Sequence, residues 1–153
     1  MGERGAEDEN RGQIFFAGRQ HKKLADAIAN AVNADAETTS APLTEDVDIL
    51  FLGSSVYANG VDSAIKEFVN GISVKVGKVV NFSTAALVKS SYKQVSKLLE
   101  GKHIPFAKEE FYCRGSFAMM HKGRPNADDC KAAAEFARKI VSQGRYCDSP
   151  TTQ

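Results

Sequence analysis

Four consecutive large apolar residues, Ile49-Leu50-Phe51-Leu52, are followed at once by Gly53-Ser54-Ser55. An antiparallel strand with one wet face alternates apolar and polar residues. An unbroken run instead points to a strand covered on both faces, as in the middle of a parallel sheet. A buried helix segment can carry the same run, but the short stretch between Asp48 and Gly53 is strand length. The composition then turns polar through Tyr57, Asn59 and Gly60, and a helical pattern begins at Val61. Strand, polar glycine-containing loop and helix make a βα unit, and open α/β sheets bind ligands outside the carboxyl ends of their strands. The loop's hydroxyls, amide and aromatic ring suit a planar polar ligand; equally, they are ordinary turn residues of a surface loop.

The 153 residues are about one domain's worth and enough for a sizeable core. With 42% hydrophobic and 25% charged residues the composition is that of a soluble globular chain. Twenty basic against 19 acidic residues give a net charge of +1, which points to neither nucleic acid nor an anionic membrane as a partner. No apolar run approaches the roughly 18 residues of a membrane span. The charged start, Met1–Gly12, lacks the apolar segment of a secretory signal and is expected to be a disordered tail. Cys113, Cys130 and Cys147 are odd in number and widely spaced, so neither a metal site nor a disulfide framework is indicated. A reduced, cytoplasmic protein is the expectation.

In chain order, Gln13–Ala17 reads as a short strand and Gln20–Val32 as a helix with Leu24, Ala25, Ile28, Ala31 and Val32 inward. A short edge strand falls near Glu37–Thr39, and Pro42 breaks the chain before the central strand. The next helix is expected over Val61–Ile72, with Ile65, Phe68 and Val69 buried. Lys78–Ser83 reads as a strand, and Tyr92, Val95, Leu98 and Leu99 mark a helix capped by Ser90 or Ser91 and ended by Gly101. His103–Gly115 holds the last strand, with Phe111, Tyr112 and Cys113 as its buried centre. Pro125 and Asn126 open a final helix carrying Cys130, Ala133, Ala134, Ala137, Ile140 and Val141, and a tail follows from Gly144. Strands alternate with helices throughout residues 13–143, the pattern of an α/β domain with a parallel sheet.

Four segments together resemble the flavodoxin family: Asp48–Tyr57, Lys78–Thr84, Phe111–Phe117 and the Gly123–Asp129 lead-in to the last helix. The resemblance spans Gln13–Val141 and implies a flavodoxin-like three-layer sandwich around a five-stranded parallel sheet of order 2-1-3-4-5. It also implies one flavin mononucleotide (FMN) at the switch point between the first and third strands. Carried onto this chain, the family's phosphate loop falls on Gly18, Arg19, Gln20, His21 and Lys22. The loop that sets an aromatic ring beside the isoalloxazine falls on Ser54, Ser55, Val56, Tyr57, Ala58, Asn59 and Gly60, with Tyr57 as the ring. A further flavin-contacting loop falls on Ser83, Thr84, Ala85 and Ala86, and Arg114–Phe117 borders the same edge. The implied activity is electron transfer between redox partner proteins, with no catalytic side chain required. A flavin-free binding or scaffold module of the same fold is the alternative, as is an FMN-dependent NAD(P)H or quinone reductase.

One stretch departs from the family pattern. A phosphate loop of this kind is rich in threonine and serine, whereas Phe16-Ala17-Gly18-Arg19-Gln20-His21 has no hydroxyl. Phosphate held there relies on backbone N–H groups and the field of the following helix, with Arg19, His21 and Lys22 as added donors. Outside these segments Cys113 reads as packing, Lys22-Lys23 and Lys89 to Lys97 as solvated faces, and Met119-Met120 as cover for the sheet end.

Overall fold

A computed structural model describes residues 12–17, 20–57, 60–61, 63–84, 92–113 and 126–147 of the chain. Its elements are β1 (Gly12–Phe16), α1 (Gln20–Val32), β2 (Ala36–Thr38), β3 (Val47–Tyr57), β4 (Gly60–Val61), α2 (Ser63–Asn70), β5 (Val76–Thr84), α3 (Tyr92–Lys102), β6 (Phe106–Cys113) and α4 (Ala127–Cys147). The strands lie in the order β2-β1-β3-β5-β6 and are all parallel, while β4 folds back antiparallel on the end of β3. Without that two-residue return, the sheet is the five-stranded 2-1-3-4-5 arrangement expected from the sequence.

The apolar run of β3 serves both faces of the sheet. Ile49 and Phe51 join Ile14 and Phe16 of β1, Val80 and Phe82 of β5, and the inward stripes of α1 and α4. Leu50 and Leu52 join Phe15, Val79 and the inward residues of α2 and α3 on the opposite face. Two helices thus cover each side, and every apolar residue of the run is buried. Removing side chains of this size from water stabilises the fold by about 1.5–3 kcal/mol each.

Several boundaries differ from the sequence expectation, each for a local reason. β3 runs through Ser54 and Ser55 to Tyr57, where a loop was expected, because Val56 and Tyr57 favour strand and Asn59-Gly60 favours a hairpin. That hairpin takes up Gly60 and Val61, so α2 starts later than Val61 and spans Ser63–Asn70. Gly101 does not end α3. The helix continues to Lys102, and His103 takes the left-handed conformation (φ 59°) that closes it, with His103 N–H on the Glu100 carbonyl and Ile104 N–H on that of Leu99. In β6, Phe111, Tyr112 and Cys113 are not all inward. Consecutive strand residues point to opposite faces, so Phe111 and Cys113 pack half-buried against α4 while Tyr112 stands exposed on the other side. Asn126 opens α4 as expected: its Oδ1 accepts from Asp129 N–H, and its own N–H donates to Asp129 Oδ2. α4 continues to Cys147, past the Gly144 expected to begin the tail.

Candidate functional site

The sheet register fixes which expected site residues become neighbours. At the carboxyl ends of the strands Ser54 of β3 lies opposite Ser83 of β5, and Ser83 lies opposite Tyr112 of β6. One step further out Ser55, Thr84 and Cys113 form a second row. On the other side of β3, Phe16 pairs with Gly53, and the Ala17 N–H donates to the Gly53 carbonyl. Strands in a sheet are about 4.8 Å apart, so the tips of β1, β3 and β5 fall within ~10 Å of one another. The start of the α1 turn, the β3–β4 hairpin and the end of β5 therefore share one edge. Gly18, Arg19, Ala58, Asn59 and Ala85 lie outside the described residues. Gln20, Ser54, Ser55, Val56, Tyr57, Gly60 and Thr84 are placed by their backbones.

A polar layer lies beneath the tips, on the α2–α3 side of β5. Asn81 and Ser83 are completely buried and sit two residues apart on the same face as Val79. The Asn81 side-chain amide donates to Glu110 Oε1 at 3.2 Å, across the β5–β6 pair. The Ser83 hydroxyl has no partner among the described residues. Nearby, Tyr92 stacks on Phe106 (centroids 4.4 Å apart, planes 18° apart) and donates its hydroxyl to the Ala107 carbonyl at 2.8 Å. Burial raises the Tyr92 pKa above its ordinary 10.0, and the negative charges of Glu110 and Glu109 push the same way. At neutral pH this tyrosine is a donor and never a base.

The first turn of α1 differs from the reading that used His21 and Lys22 as outward donors. His21 has no exposed surface, and its Nδ1 lies 2.7 Å from the Ala17 carbonyl. A carbonyl only accepts, so Nδ1 carries the proton. The ring meets Phe82 edge-on at 6.1 Å, inside the α1–α4 side of the core. The sequence held the signal: position 21 precedes Leu24 and Ala25 by three and four, on the helix's own apolar stripe. Lys22 is exposed and tied to Asp26 one turn on, at 2.9 Å. The first turn of α1 contains no acidic residue, so the positive end of its field is not neutralised there.

Among the described residues, cavities border the sheet at both ends. One of about 300 Å3 opens between the tips of β1 and β2, with Thr38, Thr39, Ser40 and Glu67 among its walls. A larger groove of about 800 Å3 lies at the opposite end, among the amino-terminal ends of β3, β5 and β6, lined by Asp46, Lys75, Lys102 and His103. Its size notwithstanding, that groove is at the wrong end of a doubly wound sheet for a ligand held by strand tips.

Uncharacterized protein MJ0298 of Methanocaldococcus jannaschii is 32% identical to this chain over 145 residues, covering 84% of this chain and 96% of that protein. The chain belongs to its family. No family model matches the sequence. Among solved structures, rubredoxin oxygen:oxidoreductase from Desulfovibrio gigas superposes with a TM-score of 0.68 at 15% identity, over 92% of this chain. This chain spans 38% of that longer protein. A flavodoxin from the domain Archaea superposes with a TM-score of 0.64 at 10% identity, covering 88% of this chain and 98% of that one. At such identities the likeness is one of fold, and the fold is flavodoxin-like. In this flavodoxin-like member of the MJ0298 family, the residues that sequence reasoning missed are Asn81 and Glu110, a buried amide holding a carboxylate. No helix among the described residues is long and apolar enough to cross a membrane.

Proposed function

We propose that the chain binds FMN at the tips of β1, β3 and β5 and carries electrons between protein partners. The observation behind this reading is the Ser83 hydroxyl, fully buried near the end of β5, next to the central strand, and without a partner among the described residues. A buried polar group left unpaired costs about 1–3 kcal/mol, and the polar edge of a bound ring system removes that cost. The donor set fits such a group. Ser54, Ser55 and Tyr57 lie on β3 and Ser83 and Thr84 on β5, in register beside it. The N–H groups of the first turn of α1 offer an anion site with no acidic side chain against it. Bound there, the flavin supplies the electron-carrying chemistry. The chain's own part is to bind and tune: Ser83 meets the ring edge, Tyr92 stays protonated, and the Glu110 carboxylate held by Asn81 opposes the growth of negative charge nearby. Redox partners dock by small, weak contacts rather than by long-range steering, since the net charge is +1.

A titration of the full chain with FMN, followed by flavin fluorescence, tests this. Quenching at micromolar FMN is expected, and Ser83→Ala should weaken it about three- to thirtyfold, the scale of one buried hydrogen bond. Absence of quenching at micromolar FMN leaves the second reading, a flavin-free binding module. That reading draws on His21 and Lys22, whose side chains engage the Ala17 carbonyl and Asp26.

A further inference from the structure

The 300 Å3 cavity beside β1 is lined in part by Ala17, the residue before the expected phosphate loop. Ala17 and Ala64 give it a small apolar floor, and Thr38, Thr39, Ser40 and Glu67 wall it. Thr38 Oγ1 and Ser40 Oγ bond to each other at 2.6 Å, an arrangement that leaves one hydroxyl hydrogen of the pair free to donate. The Thr39 N–H donates to the Phe16 carbonyl, which holds this corner against the tip of β1. The Thr39 hydroxyl and the Glu67 carboxylate have no partner among the described residues. Among the described residues the charged group lining the cavity is the Glu67 carboxylate, with no cation beside it, which does not suit phosphate. A carboxylate only accepts, whereas the hydroxyls both donate and accept, so a complementary ligand is neutral and brings several O–H groups of its own. Those are the demands of a sugar. The volume is at the small end of ligand pockets and suits a single ring.

Ala17, in the floor of the cavity, directly follows β1, and α1 begins three residues later at Gln20. Adjacent strand tips are about 4.8 Å apart, within reach of a sugar one phosphate removed. We propose that this pocket takes the ribose of a second nucleotide, so that the flavin is held preferentially as a dinucleotide, flavin adenine dinucleotide (FAD), with Glu67 and Thr39 on the ribose hydroxyls. The inference rests on the reading that the flavin phosphate sits at the amino end of α1. Isothermal titration of the full chain with FMN and with FAD tests it, alongside the variants Glu67→Gln and Thr39→Val. Glu67 is exposed and Thr39 half-buried, so both variants should fold, as circular dichroism would verify. FAD is expected to bind about tenfold tighter than FMN, and each variant to reduce that advantage while FMN affinity stays the same. FMN binding with no preference for FAD, or a preference that survives both variants, overturns the pocket assignment and leaves the flavin site standing. Binding of neither flavin overturns both.

Discussion

Gly53 sits where β3 passes beneath the ring of Phe82, and replacing it with alanine should destabilise the protein by a predictable amount. A Cβ there would lie 2.5 Å from Phe82 Cζ, 2.6 Å from Cε2 and 3.1 Å from Phe16 Cβ. Carbon atoms in contact prefer about 3.5–4.0 Å, so the ring has to retreat by ~1 Å. It has nowhere open to go: Phe82 is fully buried, and the His21 imidazole stands edge-on at 6.1 Å. Overpacking of this kind costs about 1–3 kcal/mol. The lower backbone entropy of unfolded alanine relative to glycine offsets ~0.5–1 kcal/mol, leaving a net loss of about 1–2 kcal/mol. Urea unfolding followed by far-UV circular dichroism reads this directly. With a slope of about 2 kcal/mol per molar urea, the midpoint for Gly53→Ala should fall by roughly 0.5–1 M. Phe82→Leu removes the clashing ring atoms, so the double variant should be more stable than the sum of the two single losses by about 1 kcal/mol. An unchanged midpoint for Gly53→Ala, or losses that add within ~0.5 kcal/mol, would refute the close-approach argument.

Two further outcomes follow from side chains near the sheet. Tyr92 holds its proton more tightly in the folded state than in the unfolded chain, so its contribution to stability is fully present below about pH 10 and is lost as pH rises through the folded value. Tyr92→Phe should therefore flatten the alkaline arm of a stability-versus-pH curve while removing the bond to the Ala107 carbonyl; an alkaline arm unchanged in the variant would refute the assignment. His103 occupies a left-handed position that glycine adopts without strain, so His103→Gly should raise stability by about 0.5–1 kcal/mol in thermal unfolding, and a lower melting temperature would refute it.

How much of this was legible in the sequence depends on what each residue's environment is made of. The unbroken run at Ile49–Leu52 revealed a strand buried on both faces because burial on both faces leaves no other pattern. The same reasoning stopped too early at Gly53. Polar residues at a strand tip look like a loop, but backbone pairing to β5 continues through Ser55 whatever the side chains are. In β6 the neighbouring aromatics drew all of Phe111–Cys113 inward, although pleating sends Tyr112 to the other face. His21 was read by its chemistry when its helical spacing to Leu24 and Ala25 already placed it in the core. Asn81 and Glu110 lie 29 residues apart in sequence and meet only through a register that includes a bulge between β5 and β6, so no local pattern announces their bond.

The departure of the β1–α1 turn from a hydroxyl-rich phosphate loop has a physical counterpart in the core. Serine and threonine side chains in such a turn steady it by bonding to neighbouring backbone groups. Here a ring N–H from inside the protein does so instead: His21 Nδ1 holds the Ala17 carbonyl, and Phe82 fixes the ring edge-on. Phe82 can lie there only because position 53 lacks a Cβ. Gly53, Phe82, His21 and Ala17 thus form a chain of contacts from the centre of the sheet to the residue before the turn. An anion at the start of α1 then depends on backbone N–H groups whose entry point is set by packing rather than by hydroxyls. A change at Gly53 that displaces the Phe82 ring should disturb that entry point as well as the core. A flavin titration of Gly53→Ala, at a urea concentration where it remains folded, should show weaker binding than the native chain. Equal affinity would mean that the turn is held independently of the ring beneath it.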